Sequence, residues 1–118
     1  MDKLFVVFLI SAPLLLASCT KKSDLPKQNV IFSQDQLIEK GKKVYQMNCL
    51  SCHGPTPKLE GPIGPSIAGS SHELITLRVM KTQYPQGYKP KRVSALMPAL
   101  PHLEGDIPAI YEYLNSIK

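Results

Sequence analysis

The sequence predicts an all-α domain over residues 33–118, and three observations carry the prediction. Ser33-Gln34-Asp35-Gln36 reads as a capping box, and Leu37, Gly41, Val44 and Tyr45 then recur at helical spacing to about Asn48. A second box, Ser70 with Glu73, precedes Leu74, Leu77 and Met80 or Lys81 at the same spacing. Asp106 stands ahead of Ile107, Ile110, Leu114 and Ile117, one face of a last helix that tolerates Pro108 in its first turn.

Ahead of these helices lies a segment of a different kind. Lys3 gives a short positive start, and Leu4 to Ala17 is almost wholly apolar. That length suits the hydrophobic region of a secretory signal and falls short of the roughly 20 residues a membrane-spanning helix needs. The segment ends in Leu16-Ala17-Ser18-Cys19, which resembles the lipobox of bacterial lipoprotein precursors. The resemblance implies a signal peptide over 1–18, a diacylglycerol thioether on Cys19, and a domain anchored by lipid on the periplasmic side of a bacterial membrane. An ordinary signal peptide with a chance Cys is the alternative. Residues 19–32 are polar, with several lysines and Pro26, and read as a flexible tether. A dozen such residues reach at most about 40 Å extended and roughly 20 Å as a coil.

The first helix carries Gly41 on its apolar face, where glycine costs roughly 1 kcal/mol of helix propensity. Close approach of another backbone is a physical reason to tolerate it. Directly after this helix comes Cys49-Leu50-Ser51-Cys52-His53. With Cys19 assigned to the lipid, these two are the remaining cysteines of the three.

Three chemistries use such a run. A closed zinc site needs four ligands, and the other histidines, His72 and His102, stand singly and far apart. A thioredoxin-like dithiol sits after a strand in a parallel-sheet domain, and no run of period-two alternation precedes Cys49. Covalent haem attachment uses all three residues. The thiols add across the porphyrin vinyl groups, and His53 coordinates the iron, as in the Cys-x-x-Cys-His signature.

With these residues in view, the chain resembles the class I monohaem c-type cytochromes over nearly all of 33–118. The resemblance rests on Gly41-x-x-x-Tyr45-x-x-x-Cys49, Cys52-His53-Gly54, Gly64-Pro65-Ser66-Ile67-Ala68-Gly69, Met97-Pro98 and Tyr111-Glu112-Tyr113-Leu114. It implies the cytochrome c fold: three main helices with loops around one covalently bound haem c. It further implies that Gly41 meets the Ile110–Leu114 face of the last helix. It also implies that the Pro65 carbonyl holds Nδ1–H of His53, which turns Nε2 toward the metal. Pro62 reads as loop stiffening.

The second axial ligand is sought among four methionines. Met1 belongs to the signal, Met47 sits two residues before Cys49 on the same helix, and Met80 falls in a helical stripe that suits core packing. Met97 follows a loop broken by Pro85, Gly87 and Pro90 and precedes Pro98, and the resemblance puts the ligand on such a late loop. His53 and Met97 are therefore the expected metal ligands, with Met80, His72, His102 or an open position as alternatives.

No paired acid and base, phosphate loop or second haem motif is present, so the expected activity is electron carriage rather than catalysis. Both axial positions filled by protein leave one-electron exchange, and a methionine raises the potential. The net charge of +5 and pI near 9.2 divide between the tether and the late loop. Lys21, Lys22 and Lys27 favour anionic headgroups. Lys89, Lys91 and Arg92 either steer an acidic redox partner or simply form a solvated surface. Arg78 or Arg92 is the expected partner of a haem propionate. Nucleic-acid-binding motifs are absent, and a monomer is expected. Two alternatives keep the same site: a haem-bearing subunit of a larger oxidoreductase, and a gas- or redox-sensing protein with a displaceable Met97.

Overall fold

Helix α1, Gln34–Asn48, begins as its sequence requires. The Gln36 N–H donates to Ser33 Oγ at 3.4 Å, and the Ser33 N–H donates to Gln36 Oε1 at 2.9 Å. Both bonds satisfy amides that a helix start leaves unpaired. The computed structural model describes residues 31–117; the expected signal peptide, Cys19 and most of the tether lie outside the described residues. α1 buries Gly41, Val44 and Tyr45, and Cys49 separates it from the single turn α2, Leu50–His53. Gly54 ends that turn at φ +85 and ψ 175, a conformation essentially confined to glycine.

A long loop then leads to α3, His72–Lys81. Its cap is Ser71, whose Oγ accepts the Leu74 N–H at 3.2 Å, and not the expected Ser70. Ser70 is already committed: its hydroxyl donates to the Ile67 carbonyl at 2.7 Å, and its own carbonyl accepts from Asn115 Nδ2 at 3.0 Å. The buried face also differs from the expected one. Ile75 and Val79 enter the core, while Leu74, Leu77 and Met80 are half-buried. α3 lies between the core and a cavity, so two adjacent stripes carry its contacts. Thr82 closes it in the left-handed region at φ 57, with Thr82 N–H on the Arg78 carbonyl and Gln83 N–H on the Leu77 carbonyl, both at 3.1 Å.

The last helix, α4 (Ile107–Ser116), follows a 3-10 turn over Pro101–Asp106 that the helical periodicity does not signal. Asp106 occupies the cap position with helical dihedrals and makes no cap hydrogen bond. The preceding turn already supplies the Glu104 carbonyl for the Ile107 N–H, and Pro108 has no N–H to satisfy. The Asp106 carboxylate is thereby free to reach Lys40 Nζ on α1, 2.6 Å away.

α1 and α4 cross at Gly41. A Cβ on Gly41 would stand 2.0 Å from the Ala109 carbonyl oxygen and 2.7 Å from Tyr113 Cβ. The crossing thus uses Ala109 and Tyr113 rather than the expected Ile110 and Leu114. Small Ala109 lets the backbones touch, and Ile110 and Leu114 turn into the core and the cavity wall. The core joins Val44 and Tyr45 of α1, Ile75 and Val79 of α3, Leu103, and Ile107, Ile110, Tyr113 and Leu114 of α4. Among the described residues every regular element is helical, in agreement with the expected all-α cytochrome c fold.

Candidate functional site

The cysteine run owes its shape to α1 and α2. The Cys52 and His53 N–H groups donate to the Cys49 carbonyl at 3.2 and 2.9 Å, which sets all three side chains on neighbouring positions of one turn. The two thiols are not bridged. Burial pushes the Cys49 thiol up to about 11, with the neighbouring Cys52 adding to the rise. That is the opposite of the activated thiolate that dithiol exchange requires. The described residues also contain no group of three His, Cys, Asp or Glu side chains able to hold a metal, which is what structural zinc would need.

His53 is only 8% exposed. Its Nδ1 lies 2.8 Å from the Pro65 carbonyl, an acceptor that requires the proton on Nδ1. Nε2 has no partner among the described residues. The imidazole edge rests against Gly64, where a Cβ would come within 2.5 Å of Cε1 and 2.6 Å of Nδ1. The loop that delivers Gly64 and Pro65 is tied to α2, because the Gly64 and Ile63 N–H groups donate to the Cys52 carbonyl at 2.8 and 3.3 Å.

Tyr45 supplies a support that its helical spacing alone does not announce. Its hydroxyl donates to the Gly54 carbonyl at 2.8 Å, with the His53 carbonyl at 3.3 Å. Burial, reinforced by the nearby Cys49 and Tyr113, pushes this phenol up to about 12, so it remains a donor at neutral pH. Its ring also meets Tyr113 with centroids 5.5 Å apart. A buried tyrosine that follows a helix-crossing glycine by four residues was the available signal.

Cys49, Cys52, His53, Pro65 and Met97 all border one cavity of about 280 Å³. Ile75, Val79, Ile110 and Leu114 form much of its apolar wall. Met80 does not border it, and Met47 is 76% exposed. His72 and His102 are exposed and also stand away from it; the His72 ring meets Tyr111 edge-on at 5.7 Å. Cys19 lies outside the described residues, as do Lys21, Lys22 and Lys27.

Three cations border the cavity: Arg78, Lys91 and Arg92. Lys91 and Arg92 do not stand free. Lys91 Nζ donates to the Ser66 carbonyl at 2.8 Å and approaches Ser66 Oγ at 3.2 Å. Arg92 bonds the Ile63 carbonyl at 3.1 Å, reaches the Gly61 carbonyl at 3.4 Å, and pairs with Glu60 at 2.6 Å. Arg78 stacks on the Tyr84 ring at 4.2 Å, and Tyr84 stacks in turn on Tyr88. Its remaining bond runs to the Thr82 carbonyl, so Arg78 has no carboxylate partner among the described residues. Lys89 is exposed.

This donor set suits a haem. It offers two unbridged thiols, an imidazole with Nδ1 committed and Nε2 available, a thioether, aliphatic walls and a cation without a counter-charge. Residues 36–114 match the family described as Cytochrome C oxidase, cbb3-type, subunit III. No curated protein matches the chain.

Proposed function

Because the chain belongs to this family of c-type cytochrome domains, whose chemistry is haem-based electron transfer, we propose that it carries one haem c and relays single electrons through it. In this reading Cys49 and Cys52 attach the haem, and His53 and Met97 are its axial ligands. The observation that carries it is the convergence of His53 and Met97 on one cavity beside both thiols. Bound there, haem supplies exchange between iron(III) and iron(II).

The chain's own residues set the terms of that exchange. Pro65 and Gly64 hold the imidazole in one tautomer and one orientation. Met97 offers a soft, neutral sulfur that favours iron(II). The aliphatic wall keeps water away and lowers the local dielectric. Arg78 is the cation that would take a propionate, since Arg92 already has Glu60. With both axial positions held by protein, the domain is a carrier and not itself a catalyst.

The test is Met97→Ala in the mature holoprotein. Haem should stay bound through its thioethers, while the weak charge-transfer band at the red edge of the visible spectrum vanishes and the potential falls. Carbon monoxide should then bind the reduced variant quickly and the wild type slowly. If Met80→Ala removes the band instead, the ligand is misassigned. A wild type that lacks the band and binds carbon monoxide at once is the displaceable-Met97 sensor.

The proposal includes an anchor at Cys19 on the periplasmic side, supported by Leu16-Ala17-Ser18-Cys19. No helix among the described residues is long and apolar enough to cross a membrane. A second reading is favoured by the family's description, which names an oxidase subunit: the domain works docked within a larger oxidase. Capture from native membranes separates the two. A resident subunit brings partner chains with it, and a shuttle elutes as a monomer.

A further inference from the structure

We propose that Lys91 and Arg92 are positioning residues that clamp the loop carrying Met97 to the loop holding His53. In this role they set how firmly Met97 stays in place. The inference rests on the assignment of His53 and Met97 as ligands and adds what keeps the second one seated.

The segment 83–100 joins α3 to the 3-10 turn and is fastened at its two ends. Near its start Tyr84 stacks against Arg78, and at its end the Leu100 N–H donates to the Val79 carbonyl at 2.7 Å. Between them Met97 packs half-buried against the core, while its neighbours along the loop stand exposed. Val93 is 97% exposed, Leu96 is 71% exposed, and the Leu96 N–H turns back on Ser94 Oγ within the loop. Among the described residues, the hydrogen bonds by which 89–98 reaches another segment all come from Lys91 and Arg92.

Their acceptors belong to the loop that supports His53. Ser66 directly follows Pro65, whose carbonyl faces Nδ1 of His53. Gly61 and Ile63 flank the turn that delivers Gly64 to the imidazole edge. A chain of bonds therefore runs from His53 through Pro65 and Ser66 to Lys91 and Arg92, and from there along the backbone to Met97. Pro62 and Pro65 interrupt regular pairing in the acceptor loop, which leaves its carbonyls available to long cationic side chains.

Arg92 is suited to the task in a way lysine is not. Its fork meets two carbonyls with one nitrogen and the Glu60 carboxylate with the other. The Glu60 pair alone is weak, because both side chains are substantially exposed. The three acceptors together fix the guanidinium. Without the clamp the loop opens more often, Met97 spends more time away, and external ligands gain entry in proportion to the open population.

The experiment uses the holoprotein of wild type, Lys91→Gln/Arg92→Gln, Arg92→Lys and Lys89→Gln. Lys89→Gln removes one positive charge from the same loop without touching the clamp. Three quantities are read: the rate of carbon monoxide binding to the reduced form, the pH and temperature at which the red-edge band is lost, and global unfolding by far-ultraviolet circular dichroism. Loss of a charge-assisted hydrogen bond corresponds to about a tenfold change in an equilibrium, so the double variant should bind carbon monoxide about tenfold faster or more. Its band should disappear well before the helices unfold. Arg92→Lys should fall between wild type and the double variant, and Lys89→Gln should match wild type.

If the double variant keeps the wild-type rate and band, the clamp is refuted while the ligand assignment stands. If the double variant does not assemble with haem, Arg92→Lys decides: a wild-type rate refutes the clamp, and a faster rate supports it. An acceleration equally large in Lys89→Gln also refutes it, since charge and not clamping would be the cause. A wild type without the band overturns clamp and ligand assignment together.

Discussion

Tyr113 and Tyr45 are two phenols in a core of aliphatic side chains, and burial raises both above their ordinary value. A raised acid is harder to ionise when folded than when unfolded. Its contribution to stability is thus complete below the ordinary phenol pKa of about 10 and is lost as pH rises through the folded value. Denaturant unfolding of the holoprotein should show stability falling across that alkaline window, and Tyr113→Phe should soften the fall. Gly41 shows a sharper constraint. Its missing Cβ would lie 2.0 Å from the Ala109 carbonyl oxygen, backbone that cannot swing aside. Gly41→Ala should force α1 and α4 apart and cost about 3 kcal/mol or more, read as a drop in the denaturant midpoint. All three residues were visible in the sequence, Gly41 by its anomalous place on an apolar helix face. The partner of Gly41 was not, because Ala109 and Ile110 differ by one residue and only the packed pair of helices selects between them.

At the scale of the element, helix starts were legible to the extent that their signals were local. The box at Ser33 closes within four residues and formed as expected. The start of α3 did not. Ser70 and Ser71 are adjacent candidates, and the choice between them is made by Ile67 and by Asn115 on α4. Asp106 escaped its expected capping role for a similar reason, since Lys40 on a distant helix claims it. The C-terminus of α3 yields a prediction of the opposite sign. Thr82 holds a left-handed conformation that costs a residue with a Cβ roughly 1–2 kcal/mol. Thr82→Gly relieves that strain, partly offset by the greater freedom of glycine in the unfolded chain. A net gain of about 0.5–1 kcal/mol is expected in thermal or denaturant unfolding.

Across the whole molecule, the same apolar residues serve as core and as cavity wall. Ile75, Val79, Ile110 and Leu114 pack on α1 and α4 contacts on one side and border the site on the other. The haem is therefore expected to complete the core as well as to carry the electron. Replacing both Cys49 and Cys52 by alanine should leave a chain with weakened helical signal and no cooperative thermal transition. A cooperative, haem-free domain would show that the helices suffice alone. The cysteines, His53 and Met97 stood out in the sequence as rare residues in a recognisable setting, and the structure brings them to one cavity. Lys91 and Arg92 read as partner-steering or solvated charge, and Arg92 also as a propionate partner. Their hold on the loop of Pro65 was hidden, since most of their acceptors are backbone carbonyls about thirty residues earlier in the chain.

The contact of Gly41 with Ala109 and Tyr113 also fixes an order of events in biogenesis. α1 and the cysteine pair emerge early in synthesis, but their packing surface is α4, which emerges late. Until α4 arrives, Val44 and Tyr45 lack the surface they pack against, and on the proposed reading the thiols of Cys49 and Cys52 are then open to haem attachment. Once it arrives, the two helices close over the site. A chain cut short before Ile107 would lack the closing half of that contact. It would stay unfinished and fall to proteolysis rather than survive as a partly working fragment.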